Sequence, residues 1–176
     1  MNDNPRPIAL IGHSRGGIMA WAIAAQLQEK ASHLVMLGAP VASFRASVAS
    51  RQAGAPAGPV GRMLMRISEE LRELLDPDCN YPNCGCPLLT DVMSPLSPRT
   101  SVLSIHGRHD LVVGQAAQIA NDGENLYVGA SHVGLVYNPE VYRAVGRFLA
   151  RHPAPEPPVA VKLKLRARRS VRQGVR

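Results

Sequence analysis

A serine flanked by glycines lies near the start of the sequence, in the run Gly12-His13-Ser14-Arg15-Gly16. The apolar residues Ile8 to Ile11 come before it and predict a short buried strand, and the alanine-rich segment after it predicts a helix. This pattern between a strand and a helix is typical of a nucleophile elbow, a sharp turn that exposes the serine oxygen. The glycines two residues before and after the serine, Gly12 and Gly16, are expected to let the chain fold past itself. Ser14 is therefore predicted to be a nucleophile in acyl transfer.

Two further polar residues follow two later strand-like segments. Asp110 comes after the run Thr100–His106, and His132 comes after Glu124–Val128. Because the loops after parallel strands emerge at one edge of a sheet, we expect both side chains to lie near Ser14. A serine hydroxyl needs a base, the role predicted for His132, and the imidazole needs a partner that holds its tautomer, the role predicted for Asp110.

Each of these three residues also has an ordinary structural explanation. Ser14 could be only a turn serine, Asp110 could cap a helix, and His132 could belong to a surface loop. The three are favoured as a set because their chain order and their predicted strand ends agree. Asp91 is kept as a second candidate acid.

The neighbours of Ser14 receive different predictions. The backbone N–H of Arg15, at the start of the predicted helix, is expected to supply one donor of an oxyanion hole. His13 is fixed beside the serine and is expected to point elsewhere. His106 and His109 are weaker candidates for the base because both precede the acid in the chain.

The elements around Ser14 form a predicted strand–helix–strand unit. The segment Gly17–Lys30 has apolar residues at helical spacing and little charge, and His33–Gly38 is a second apolar run. Such a unit implies parallel strands joined by a right-handed crossover. With the two later strands and a last helix that begins at Asn138-Pro139, the sequence predicts an α/β fold of about four parallel strands.

Residues 41–98 interrupt this alternation and are predicted to be an insertion, or cap, that covers the site. Val41–Pro59 is rich in small residues and predicts a loop, with or without helical turns, and an amphipathic helix is predicted from Val60 to Leu75. A Pro-rich stretch, Pro87–Pro98, closes the insertion. Three cysteines lie before that stretch: Cys79, Cys84 and Cys86. Their spacing fits either free thiols or a local disulfide and is a poor match to a zinc site, so no metal is expected.

The positive charge of the chain is concentrated at its end. The formal net charge is +7, and residues 162–176 hold seven Lys or Arg and no acid, so residues 1–161 are neutral overall. We expect one domain over residues 1–152, then a Pro-rich linker and a disordered basic tail over 153–176. Contact between this tail and an anionic membrane or nucleic acid is the alternative. Without a signal-peptide pattern at Met1–Arg6 or an apolar run of roughly 18 residues, the chain as written is expected in the cytoplasm.

Four motifs together resemble the α/β-hydrolase superfamily, in its esterase and triacylglycerol-lipase-like branch. They are Ile11–Gly17 as the elbow, Leu37–Pro40 as a strand end, Ser104–Val113 as the acid loop, and Glu124–Leu135 with Asn138–Tyr142 as the histidine region. The resemblance covers Pro7 to about Arg151. It implies hydrolysis of a small-molecule or lipid carboxylic ester through an acyl-enzyme, without a cofactor, by Ser14, Asp110 and His132.

The resemblance fails at the front of the chain. Members of the superfamily have further strands before the elbow strand, and a loop among them supplies the second oxyanion donor, whereas Met1–Arg6 is all that precedes it here. The strand at Ile8 is thus expected to have an open apolar edge. Either the chain is a fragment of a longer hydrolase, or this edge pairs with a partner chain or a second copy. A catalytically impaired remnant that acts as a binding or assembly module is the alternative function.

Overall fold

Four strands and five helices make up the part of the chain that the structure describes, which is residues 7–52, 87–114 and 123–154 of this computed structural model. The strands are β1 (Ile8–His13), β2 (Ala31–Leu37), β3 (Ser101–Gly107) and β4 (Glu124–Val128). The helices are α1 (Arg15–Leu27), α2 (Val41–Gln52), α3 (Pro87–Met93), α4 (Gly134–Tyr137) and α5 (Pro139–Arg151). A short 3-10 helix, Gln28–Lys30, connects α1 to β2.

The strands form one parallel sheet in the order β1-β2-β3-β4. The register places Ile11 beside Val35, and Val35 beside Leu103. Because all four strands run in the same direction, the loops that follow them emerge at a common edge. The predicted α/β class with four parallel strands is confirmed.

The two faces of the sheet carry separate apolar clusters, because alternate residues of each strand point to opposite faces. On one face, Leu34 and Met36 of β2 pack with Trp21 of α1 and with residues of α2 and α3. On the other face, Val35 packs with Phe148 and other residues of α5. The strand β2, whose residues are all buried, is therefore covered on both sides.

The prediction that β1 is a buried strand is wrong. Ile11 is 57% exposed and Ile8 is 38% exposed. Among the described strands β1 lies at the edge of the sheet, and the apolar cluster of α5 includes Val35 but not its register partner Ile11. The apolar run was a correct sign of a strand but not of its burial, and the open apolar edge expected from the resemblance is present in the described sheet.

The start of the insertion is helical rather than a loop. In α2, Val41, Phe44 and Val48 are buried, and their spacing of three and four residues places them on one face. The small polar residues between them lowered the apolar signal of the segment. The Pro-rich stretch likewise begins with α3, whose Leu89 and Val92 are buried against the cluster that contains Trp21.

The last helix follows its sequence signals closely. The Asn138 side chain caps α5 by accepting a hydrogen bond from the N–H of Glu140 at 2.8 Å, and Pro139 occupies the first turn. The predicted helix at 60–75, the three cysteines, and most of the linker with the whole basic tail lie outside the described residues. No helix in the described part of the chain is both long and apolar enough to span a membrane.

Candidate active site

Ser14 lies in the tight turn between β1 and α1 with a strained backbone. Its φ is 53°, in a region that costs a non-glycine residue about 1–3 kcal/mol. Gln28, which follows α1, is the other described non-glycine residue with positive φ. The Ser14 N–H donates to the carbonyl of Leu37 at 2.9 Å, and the Ser14 carbonyl accepts from the Gly17 N–H at 3.0 Å. The end of β2 and the first turn of α1 thus hold the serine in this conformation.

The glycines around Ser14 differ in how much space surrounds them. A Cβ at Gly12 would lie 2.3 Å from the carbonyl oxygen of Gly16, so Gly12 cannot carry a side chain without a shift of the turn. A Cβ at Gly17 would lie 2.3 Å from the Cβ of Ala39. At Gly16, an added Cβ would meet no described atom within 4 Å. The steric prediction is confirmed for Gly12 but not for a side chain at Gly16, and it missed Gly17.

Asp110 and His132 form a buried hydrogen-bonded pair. The Nδ1 atom of His132 lies 2.7 Å from the Oδ2 atom of Asp110, and the Asp110 side chain is fully buried. Because a carboxylate only accepts, Nδ1 of His132 carries the hydrogen, and the neutral ring has its lone pair on Nε2. The second Asp110 oxygen accepts from the N–H groups of Val112 and Val113 at 2.9 and 2.8 Å. This arrangement fixes the tautomer that a general base needs.

Backbone hydrogen bonds join the two loops that carry this pair. The Arg108 N–H donates to the carbonyl of Val128 at 2.9 Å, and the His109 N–H donates to that of Ala130 at 3.2 Å. The loops also approach closely at Gly107, where a Cβ would lie 2.5 Å from the carbonyl oxygen of Ala130. Asp110 and His132 therefore lie on two loops that are joined to each other and extend from β3 and β4.

The end of β2 lies between this unit and the elbow. The residue after the Leu37 carbonyl that binds Ser14 is Gly38, with a φ of 54°. A Cβ there would lie 3.1 Å from the Oδ2 atom of Asp110 and 3.2 Å from the Nδ1 atom of His132. The three predicted residues are thus gathered at the carboxyl edge of the sheet. Within the described residues, no hydrogen bond joins the Ser14 side chain to His132.

Asp91, His106 and His13 are engaged in other contacts, and His109 is exposed. Asp91 of α3 accepts a hydrogen bond from the side chain of Gln26 of α1. His106 is buried, and its Nε2 lies 2.8 Å from the side-chain oxygen of Asn125. His13 does not point elsewhere as expected: its ring lies against that of His132, with centroids 4.7 Å apart. Sequence reasoning missed this contact because 119 positions separate the two residues.

In the part of the chain that the structure describes, the predicted oxyanion donor is the backbone N–H of Arg15. Arg15 is the first residue of α1, and negative charge is favoured at the N-terminus of a helix. Within the described residues, no group of three or more His, Cys, Asp or Glu side chains could hold a metal ion. The side chains present are those of proton transfer and nucleophilic attack.

Comparisons with known proteins find similar structures. No protein-family model matches the sequence, and no curated protein matches it. The α/β hydrolase GrgF from Penicillium sp. sh18 is 18% identical, with a TM-score of 0.47, over 85% of this chain and 65% of that chain. A carboxylesterase structure from the thaumarchaeon Nitrososphaera gargenis is 15% identical, with a TM-score of 0.44, over 84% of this chain and 66% of that chain. A hydrolase from Pseudomonas aeruginosa PA01 is 20% identical, with a TM-score of 0.40, over 82% and 65%. At these identities and TM-scores the likeness says nothing about activity.

Proposed function

We propose that this chain is the catalytic part of a serine hydrolase that cleaves carboxylic esters through an acyl-enzyme. The observation that carries the proposal is the buried pair of Asp110 and His132 at the same sheet edge as the strained Ser14. A base in a fixed tautomer beside a serine on a tight turn is the combination that serine activation requires.

Each residue has a defined part in the proposed reaction. The Ser14 oxygen attacks the ester carbonyl while Nε2 of His132 takes its proton, and Asp110 stabilises the imidazolium that forms. The backbone N–H of Arg15 donates to the oxyanion. His132 then gives the proton to the leaving alcohol. A water molecule attacks the acyl-enzyme with His132 again as base, which releases the acid and restores Ser14.

Catalytic hydrogen bonds often tighten only in the substrate complex. The proposal therefore requires the Ser14 oxygen to come within hydrogen-bond reach of Nε2 of His132 when an ester binds. The ring contact between His13 and His132 supports this requirement, because it places the residue next to Ser14 against the base.

The surroundings of the pair favour an apolar ester. Leu111 directly follows Asp110 and is 98% exposed, and Val133 directly follows His132 and is 62% exposed. Exposed apolar residues at a site are typical of surfaces that bind an apolar ligand or partner. We therefore propose small-molecule or lipid esters as the substrate class, in agreement with the esterase-like motifs of the sequence.

The alternative is a catalytically impaired remnant that acts as a binding or assembly module. The exposed Ile11 on the open edge of β1 favours it, because such an edge can pair with another chain. Loss of one oxyanion donor typically lowers kcat by about 10²–10³. A remnant whose oxyanion hole had only the N–H of Arg15 would therefore hydrolyse esters slowly or not at all.

Labelling of the full chain with a fluorophosphonate distinguishes these functions. We expect a stoichiometric adduct on Ser14 that is lost in Ser14→Ala and kept in Ser43→Ala, which changes a half-buried serine of α2. An absent adduct, or one that persists in Ser14→Ala, would contradict the proposed activity and favour the assembly module. Hydrolysis of p-nitrophenyl acetate and octanoate then measures the preference for acyl length.

The same assay tests the role of Asp110. Asp110→Asn should lower kcat for the ester by about 10³–10⁴, because an amide nitrogen in place of Oδ2 favours the wrong tautomer of His132. The amide oxygen can still accept from the N–H groups of Val112 and Val113, so the melting temperature should change little. An unchanged kcat would mean that His132 does not depend on Asp110 and is not the base.

A further inference from the structure

His13 connects the two halves of the proposed site. It is the last residue of β1 and directly precedes Ser14, and its Nε2 lies 3.0 Å from the carbonyl oxygen of His132. Because a carbonyl only accepts, His13 donates from Nε2. Its ring is tilted by 42° against the ring of His132, with centroids 4.7 Å apart. One side chain thus makes both a polar and a packing contact with the residue that carries the proposed base.

These contacts join the elbow that carries Ser14 to the loops that carry Asp110 and His132. Ser14 is held by β1, α1 and the Leu37 carbonyl of β2, whereas His132 is held through Asp110 by the loops after β3 and β4. The parallel sheet joins the two sets through β2 and β3, and His13 adds a direct side-chain contact between the elbow and the loop of His132. A misplacement of about 1 Å between reacting groups can lower a rate about 10²-fold.

We propose that His13 is a positioning residue that holds the loop of His132 in register with the Ser14 elbow. The inference rests on the proposed ester hydrolysis and adds a residue to it. The hydrogen bond from Nε2 to the carbonyl of His132 places His13 to act through His132.

Two substitutions separate the polar contact from the packing. His13→Gln keeps an N–H donor of similar reach, and His13→Phe keeps a ring of similar size without a donor. For p-nitrophenyl butyrate we expect His13→Phe to lower kcat about 10- to 100-fold with KM changed less than about 2-fold, because ground-state binding does not need the register of serine and base. His13→Gln should recover kcat to within about 5-fold of the wild type. Melting temperatures are measured for both variants.

The outcomes distinguish this inference from the proposed function. If the wild type forms no fluorophosphonate adduct, the proposed function fails. If the wild type is labelled and His13→Phe has a wild-type kcat, the positioning role fails while the function stands. Equal loss in kcat and in melting temperature for both variants would also overturn it, since His13 would then support the fold alone.

A spectroscopic measurement tests the contact without any activity. The ¹⁵N chemical shifts of the His13 ring in the full chain should show a hydrogen on Nε2, the nitrogen that faces the His132 carbonyl. The opposite tautomer would contradict a hydrogen bond to the His132 carbonyl and would overturn the inference even if the enzyme is active.

Discussion

Ser14 and Gly12 lie in the same turn, and the turn constrains their backbones in different ways. Ser14 has an unfavourable φ of 53°, whereas Gly12 is required because the carbonyl oxygen of Gly16 lies 2.3 Å from the position that a Cβ of Gly12 would take. Strain of this kind persists only where the surrounding structure enforces it, here through the bond from Ser14 to Leu37. The motif glycines are therefore unequal in what they contribute to stability.

Alanine substitutions at Gly12 and Gly16 should show this inequality. Gly12→Ala should lower the free energy of unfolding by about 2–4 kcal/mol, because its Cβ would overlap backbone atoms that cannot move aside. Gly16→Ala should be neutral or should raise stability by about 0.5–1 kcal/mol, since alanine is favoured over glycine in a helix and the space is open. Urea unfolding of both variants measures the difference. Similar losses at the two positions would contradict the geometry of the turn.

Glu124 and His152 link the start of β4 to the end of α5. The Glu124 carboxylate lies 2.8 Å from Nε2 of His152 and 2.6 Å from a nitrogen of Arg151. The hydrogen bond from His152 is the largest cause of the lowered pKa of Glu124; burial acts next and in the opposite direction, and the charges of Arg151 and His152 with the hydrogen bond from Arg151 add to the lowering. A lowered pKa means that the ionised carboxylate stabilises the folded state.

This pKa shift predicts a pH-dependent effect of Glu124→Gln. The loss of stability in the variant should be fully present above about pH 4.3, the ordinary pKa of glutamate, and should vanish as the pH falls through the lowered pKa of Glu124. The effect should be small because these side chains are about half exposed. Unfolding by urea at a series of pH values tests it, with Glu140→Gln, which changes an exposed glutamate in the first turn of α5, as the control. A difference that grows on acidification would contradict the predicted sign.

At the level of elements, β1 and β2 look alike in sequence and differ in the structure. Ile11 and Val35 are register partners, yet Val35 is fully buried and Ile11 is 57% exposed. We expect Val35→Ala to cost about 2 kcal/mol or more and Ile11→Ala less than about 1 kcal/mol. If Ile11→Ala costs as much as Val35→Ala, then Ile11 is covered in solution. That result, with a concentration-dependent mass in light scattering, would favour a second copy or a partner chain on β1.

Local signals predicted the elements that depend on local interactions. Asn138 and Pro139 marked the start of α5, and the alternation of strands with helical segments gave the parallel sheet and the edge that gathers Ser14, Asp110 and His132. The features that the sequence did not predict depend on contacts between residues that are far apart in the chain. The burial of Phe44 and Val48 makes α2 a helix in a segment of low apolar content, and nothing near His13 indicates that it meets His132.

At the scale of the whole molecule, the net charge and the proposed site lie in different parts of the sequence. All of the net charge of +7 comes from residues 162–176, whereas the proposed site lies within residues 12–132. Binding to a polyanion is mainly electrostatic and weakens with salt in proportion to the charges involved. The tail and the site should therefore be separable functions.

Deletion of residues 159–176 tests that separation. If the alternative role of the tail holds, the full chain binds vesicles that contain phosphatidylserine, or single-stranded DNA, at low salt, and the deletion abolishes this binding because it removes seven positive charges and leaves a neutral chain. Hydrolysis of a soluble ester and the melting temperature should stay unchanged, because no proposed catalytic residue is removed. A full-length variant with the seven Lys and Arg changed to Gln serves as the matched control and should behave like the deletion. Equal binding by all three proteins would show that the anionic surface is recognised elsewhere, and a fall in ester hydrolysis would show that the tail contributes to the site.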